Sequence, residues 1–373
     1  MNYLMFWPSY AIVVMVLLLA LVGACGQVVY LDDAIFTPEV IGTAAVPLSE
    51  SEEVALLADE RTACTIDSYE SQVRCVDVEG TVIGAFGRIG EGPGEFARPV
   101  YLTRGEEGTV GVVDPELSRF TVFEPTGAYL SDVTLRGRLF DPLPSFGTVV
   151  SGLSLDYMAM LGGETSGSLM TRFDVNISSG ELVREGGSPR GPWDVECGQA
   201  VYGIPDRAEG WVFVACEGHL IFIGDEGNAT VLRAPMYVPE LPNARDVARY
   251  KEELMAFQIG LGLPPPPDIA ERLESYRVTP KHYYLSTAHQ LVDNNNRYWI
   301  ATQRDTYEWS YLDVYENAKY VKSVKVRGRL RAFDVVRSTL VVLVYRQVGE
   351  DNADGIPGRT LNWYDIGDLR LSR

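Results

Sequence analysis

Apolar and polar positions alternate in short runs along most of this chain. The runs are rich in Val, Ile, Phe and Tyr, and each is stopped by Gly, Asn, Asp or Pro. This period-two pattern predicts short, half-buried β-strands joined by tight turns. One set aligns by eye: VRCVDV from Val73, RFTVF from Arg119, TRFDV from Thr171, HLIFI from His219, YLDVY from Tyr311 and TLNWY from Thr360. A turn follows closely after five of them, at Gly80, Gly127, Gly180, Gly224/Gly227 and Asn317. A second apolar run precedes each, as in TVGVVD, GWVFVAC, NRYWIAT and STLVVLV. The spacing is roughly 45 to 50 residues, with one interval nearly double, as expected of a repeat fold. Six units of four strands account for the pattern, and the third unit, about residues 139–186, is the faintest.

The doubled interval holds a segment of different period, about Pro235 to Lys281. In it Val247, Tyr250, Leu254, Phe257 and Leu261 recur three to four apart, which predicts an amphipathic helix. Pro264 to Pro267 form a stiff spacer. Asp268 with Glu271 then reads as a capping box opening a second helix through Tyr276.

The stretch from Gly87 to Gly127 is the fullest statement of one unit. A glycine-rich turn ending Gly94-Glu95-Phe96 leads through Pro99 into a strand. A Val-rich strand stopped by Asp114 follows, then a strand ended before Gly127. It resembles the NHL-type and TolB-like repeats of six-bladed β-propellers. The resemblance implies an all-β, six-bladed propeller of four-stranded blades, interrupted by one α-helical hairpin between blades four and five. It also implies that Asp114 and Arg119 hold the turn between them. Gly87, Gly90, Gly92 and Gly94 do not make a phosphate loop, because a strand and not a helix follows them. They permit the turns that carry the chain to the next blade. Both this crossing and the helical hairpin follow an outer strand and precede an inner one, so both open on one face of the ring. Glu95, Arg98, Tyr250 and Phe257 are the candidates for that channel face, and Glu95 and Arg98 are placed to pair or to line the channel.

The N-terminus carries an uninterrupted apolar core from Ala11 to Val22, then Val22-Gly23-Ala24-Cys25. The core has the length of a secretory signal, and the tetrad resembles the lipobox of bacterial lipoproteins. This implies residues 1–24 as a signal peptide, cleavage before Cys25 and a lipid on its sulfur. Residues 25–50 then form a linker that offers a ring-closing strand, and 51–373 the propeller. An uncleaved anchor and plain secretion are the other readings of the same stretch. Gly26 in place of Asp after the cysteine favours the outer membrane of a bacterial envelope.

Four further cysteines suit an oxidising compartment. Three pairings exist. Cys64 with Cys75, and Cys197 with Cys216, each bracket a hairpin. A formal charge of −19 disfavours nucleic acid, whose binding needs clustered Lys and Arg.

No catalytic set is legible. His219, His282 and His289 lack metal-ligand spacing, and Ser166 lacks a nucleophile elbow. Asp351 to Gly355 lacks the alternation of a calcium loop, and Asp293 to Asn296 reads as a hairpin turn. Trp299, Tyr307, Trp309 and Tyr311 read first as packing between strands. Two functions stay open. One is a lipid-anchored binding module without cofactor, for a protein, peptide or glycan. The other is a propeller hydrolase, lactonase or lyase with a divalent cation in the channel.

Overall fold

The computed structural model describes residues 34–46, 53–67, 70–135, 141–155, 170–188, 202–205, 210–215, 218–224, 226–260, 264–284, 289–304, 308–345 and 359–369. By its contacts the chain divides into Met1–Ile35 and Phe36–Arg373, and the second unit holds the whole ring.

That ring is a six-bladed β-propeller. Blade one runs from an inner strand Val54–Leu56 to an outer strand Val82–Phe86, and blade two from Tyr101–Gly105 to Tyr129–Thr134. Blade three spans Asp141–Pro142 to Leu182–Gly187, blade four Tyr202–Pro205 to Ala229–Arg233, and blade five Gln290–Val292 to Lys319–Arg327. Blade six is built from Arg329–Val336, Thr339–Tyr345 and Arg359–Asp365. Its outer strand is Glu39–Val46, in antiparallel register with Arg359–Asp365. The N-terminal side of the ring therefore closes on its C-terminal blade. Each aligned run of the sequence is the third strand of a blade.

Burial explains why those runs were visible. Second and third strands are covered on both faces by neighbouring blades, so Val110–Asp114 is buried at every position and Thr339–Val344 likewise. Outer strands keep one face in solvent and leave Val40, Val82 and Val183 more than half exposed. The core consists of layers between adjacent blades, because successive side chains of a strand point to opposite neighbours. Phe86, Phe96 and Phe123 fill the layer between blades one and two, and Phe120, Phe146 and Phe173 the next. Trp363 lies with Val54, Leu56 and Val76 across the closure.

The hairpin between blades four and five is helical: α1, Ala244–Gly260, and α2, Ile269–Val278. Tyr250 of α1 stacks on Tyr276 of α2, ring centroids 4.3 Å apart. The predicted apolar face of α1 is only half-buried at Val247, Tyr250 and Leu254, and Asp246 is the most buried of its described side chains. The capping box is displaced from its predicted place. At α2 the Asp268 side chain makes no cap and instead accepts from Arg272 Nε at 2.8 Å. The reciprocal box forms at α1. Asn243 Oδ1 accepts from the Asp246 amide at 3.1 Å, and Asp246 Oδ2 from the Asn243 amide at 2.9 Å. Lys281, returning from the hairpin, sits 3.3 Å from the same Asp246 oxygen and 3.2 Å from Glu240. A helix N-terminus and an ammonium both favour a carboxylate there. The return is also fixed to blade five, where the Gln303 amide donates to Tyr283 O at 2.7 Å. Arg304 lies 5.3 Å above the Tyr283 ring and bonds Asp313 at 2.7 Å.

Candidate functional site

A cavity of about 390 Å³ lies on the ring axis, and inner-strand residues of all six blades wall it. Blade three explains why it is there. Its inner strand is two residues long, Asp141–Pro142, and the chain then leaves to pair in parallel with blade two. Ser145 lies opposite Arg104, and Phe146 opposite Gly105. Thr103 Oγ1 donates to Leu143 O at 2.7 Å and holds the diverted segment. With its inner strand so short, blade three shows Ser151 and Leu153 of its second strand, and Arg172 of its third, to the axis. Three prolines, Pro142, Pro144 and Pro205, lie on the same wall. Pro142 and Pro205 end inner strands, opposite Gly152 and Trp211, and Pro144 follows where the chain leaves blade three; lacking an N–H, each suits an edge that faces the axis.

One carboxylate on the cavity wall, Asp334, is held in an ion pair. Arg104 of blade two binds Asp334 of blade six, both side chains about 5% exposed. Asp334 Oδ2 also accepts from the Leu56 amide at 2.8 Å, and Oδ1 from the Val335 amide at 2.7 Å. Arg104 Nη2 donates to Val335 O at 3.3 Å. Burial raises the pKa of Asp334, and Arg104 and these amides pull it back.

Glu53 and Asp141 add two more carboxyl groups to the wall. Burial pushes Glu53 well above the usual carboxylate range, and the charges of Asp141 and Asp334 add to the shift. Arg172 is the guanidinium on this wall; Asp174 Oδ1 takes its Nε at 3.0 Å.

These donors do not form a divalent-cation cage. Asp334 spends both oxygens on N–H donors. Among the described residues, no three His, Cys, Asp or Glu side chains stand close enough to share an ion. The metal-dependent reading therefore has no ligand set in the described part of the channel.

The residues singled out from sequence fall elsewhere. Glu95 does not pair with Arg98. Its carboxylate accepts from Arg88 Nε at 2.8 Å and from the Gly92 amide at 2.9 Å, while the Arg98 amide donates to Asp114. Glycine at position 90 leaves room for this, because a Cβ there would sit 2.1 Å from Glu95 Oε2. Neither Glu95, Arg98 nor Tyr250 walls the central cavity. Tyr250 borders an open groove between the two helices with Tyr276, Glu271 and Arg272, a mixed and not an apolar lining. The side chain of Phe257 lies outside the described residues, as do Cys25, Ser166, Cys197, Cys216, Tyr307 and the Asp351–Gly355 loop.

Asp114 and Arg119 grip the first crossing from two sides. Asp114 accepts from the amides of Ala97, Arg98 and Leu117, and Arg119 donates to Glu91 O and Glu95 O. Cys64 and Cys75, opposite each other on adjacent strands, form a disulfide. Asp293 carries the turn that precedes Arg297, accepting from Asn295 N, Arg297 N and Trp299 Nε1. Trp299 is fully buried, and Trp309 and Tyr311 lie beneath Lys325.

No family model and no curated protein matches this chain. Among solved structures, U3-55K aligns with 11% identity and a TM-score of 0.48, over 87% of this chain and 99% of that one. A catalytically inactive virginiamycin B lyase from Staphylococcus aureus, solved with quinupristin, aligns with 10% identity and a TM-score of 0.40, covering 87% and 88%. Regucalcin from Agrobacterium tumefaciens, a calcium-binding protein, aligns with 11% identity and a TM-score of 0.39, covering 91% and 97%. The strand topology of the chain itself shows the fold: it is a six-bladed β-propeller of four-stranded blades.

Proposed function

We propose that this propeller is a binding module that takes a small polar ligand, or a polar group of a protein, peptide or glycan, into its axial cavity. A lipid on Cys25 holds it at a bacterial envelope membrane, the outer membrane by the residue that follows. The observation that carries the reading is the cavity itself. About 390 Å³ is walled by all six blades at the point where blade three gives up its inner strand. That volume is within the range of small-molecule sites, and its wall mixes apolar side chains with a few fixed polar groups.

The test fills the cavity. Thermal shifts are measured with a panel of small polar compounds on the parent chain and on Ser151→Phe and Ser145→Phe, two independent fillings. At least one compound should raise the melting temperature of the parent and neither variant. Shifts that persist in both filled variants, or no shift with any compound, overturn the reading. The anchor is tested separately. Cys25→Ser should release the protein from the membrane fraction, and unchanged fractionation rejects the lipid.

A further inference from the structure

We infer that blade five carries a second binding site, separate from the axial cavity, which takes an acidic sugar of a glycan between Trp309, Tyr311, Lys325 and Arg327. The sequence marks the place. From Lys319 to Arg331 the chain carries six Lys and Arg and no Asp or Glu, in a protein with 51 acidic residues against 32 basic ones.

Strand alternation sorts this run. Val324 and Val326 of the outer strand enter the core layer shared with blade six, and so do Leu312 and Val314 of the third strand. Lys325, Arg327, Trp309 and Tyr311 therefore turn to the opposite flank of the blade. In register Lys325 stands across from Tyr311, and Arg327 from Trp309. Further along the same flank Tyr315 packs on blade four, 6.0 Å from the Phe222 ring. Trp309 and Tyr311 do not join that packing. Both are half-buried, and neither is part of a core layer among the described residues.

Cations hold the two rings in place. Lys325 Nζ lies 4.2 Å from the Trp309 centroid and 5.8 Å from that of Tyr311. Arg304 lies 4.5 Å above the Tyr311 ring, and its charge is spent on Asp313 at 2.7 Å. Lys325 and Arg327 are not spent. Among the described residues neither makes an ion pair, and the neighbouring acid, exposed Glu308, makes none either. A ring quadrupole steadies an ammonium without using its N–H donors, which stay available to an anion.

Two rings alone would suit any apolar group, and two cations alone any phosphate. Together they suit a ligand with an apolar C–H face and a carboxylate at its edge, which is the shape of a uronic acid. None of the four residues walls the axial cavity. They form an open strip at the end of two strands, suited to one or two units of a longer chain.

The experiment titrates four probes calorimetrically into the full-length protein at neutral pH: trigalacturonate, maltotriose, triglutamate and tripolyphosphate. Trigalacturonate should bind at least about tenfold tighter than each of the others. Lys325→Gln with Arg327→Gln should weaken it about tenfold or more, and so should Trp309→Ala. Trp309→Phe keeps a ring and should retain part of the affinity. Ser151→Phe, which fills the axial cavity, should leave it unchanged. Melting temperatures show which variants fold; if Trp309→Ala does not, Trp309→Phe and the two charge changes still decide. Failure of trigalacturonate to bind overturns the inference, as does full affinity in the doubly neutralised variant. Equal binding of maltotriose removes charge from the recognition, of tripolyphosphate the ring, and of triglutamate the sugar, and each overturns it. Loss of trigalacturonate binding in Ser151→Phe would put that ligand in the axial cavity and overturn the second site.

Discussion

Arg104 of blade two reaches past blade one to an ion pair with Asp334 of blade six, 230 positions away in the chain. Both side chains are buried, and the Leu56 and Val335 amides complete the carboxylate's partners. The pair ties three blades together beside the axial cavity. Removing one member leaves the other charge buried without compensation, which costs about 3–5 kcal/mol. Arg104→Ala should lose stability on that scale in urea unfolding. Arg104→Met with Asp334→Leu should recover much of it. A single variant as stable as the parent would show that the latch contributes nothing.

Asp114 should matter nearly as much although it touches no cavity. One carboxylate accepts three amides, those of Ala97, Arg98 and Leu117, and so shapes the crossing from blade one to blade two. Asp114→Ala strands those donors and should cost about 2–3 kcal/mol. Hydrogen exchange should accelerate at Ala97, Arg98 and Leu117 and not in blade five. Uniform acceleration around the ring would instead mean global destabilisation.

The ring was legible in the sequence for the same reason that its core is stable. Strands such as Val110–Asp114 and Thr339–Tyr345 are covered on both faces, which demands apolar runs that recur at blade spacing. Blade three was faint because its inner strand is two residues long, and that defect marks the site. The wall itself was not legible. Glu53, Asp141, Gln290 and Asp334 come from four blades and meet only when the ring closes, so no local spacing announces them. Glu95 and Arg98 drew notice because they are charged residues in a conspicuous turn. Glu95 is spent on Arg88 and the turn's own Gly92 amide, and the Arg98 amide on Asp114. The capping box was misplaced because Arg272, one turn on, competes for Asp268, whereas Lys281 arrives from the far end of the insertion to hold Asp246.

Cys64 and Cys75 lie in the fully buried layer of blade one. A cross-link that closes a loop of this length restricts the unfolded chain by about 3 kcal/mol. Cys64→Ala with Cys75→Ala should therefore lower the unfolding free energy by about that amount and bring the urea midpoint down accordingly. Alkylation in the presence of a thiol reductant should leave both sulfurs of the folded parent unmodified, because the reductant reaches the buried disulfide only when the blade opens. Rapid labelling of the folded protein under reductant would contradict the burial.

Glu60 joins blade one to blade six at the closure. It accepts from the Ser338 amide and hydroxyl, the Thr339 hydroxyl and Arg337. Burial works to raise its pKa, but these donors outweigh it and the net shift is downward. A depressed carboxylate adds stability above its unfolded pKa and loses it as pH falls through the folded one. Glu60→Gln should lower stability at neutral pH by roughly 1 kcal/mol or less, since the site is partly solvated. The difference from the parent should close on acidification below the ordinary value of 4.5. A gap that stays constant with pH would place the effect in packing and not in charge.

Glu53 should behave in the opposite sense, which makes it the sharpest probe of the cavity. Its folded pKa lies well above the ordinary 4.5, through burial first and then Asp141 and Asp334. Below that ordinary value both folded and unfolded chains hold the proton, and the group is neutral in its effect. As pH rises past it, the unfolded chain ionises freely while the folded one resists, so stability drains away up to the folded pKa. Glutamine keeps the shape and removes the titration. Glu53→Gln should thus match the parent near pH 4 and become progressively more stable than it toward about pH 7. Urea unfolding of the two proteins across that range reads the difference directly. A Glu53→Gln variant less stable than the parent at neutral pH would mean that Glu53 is held as a carboxylate by donors on the wall. The cavity would then carry a fixed negative charge from the outset.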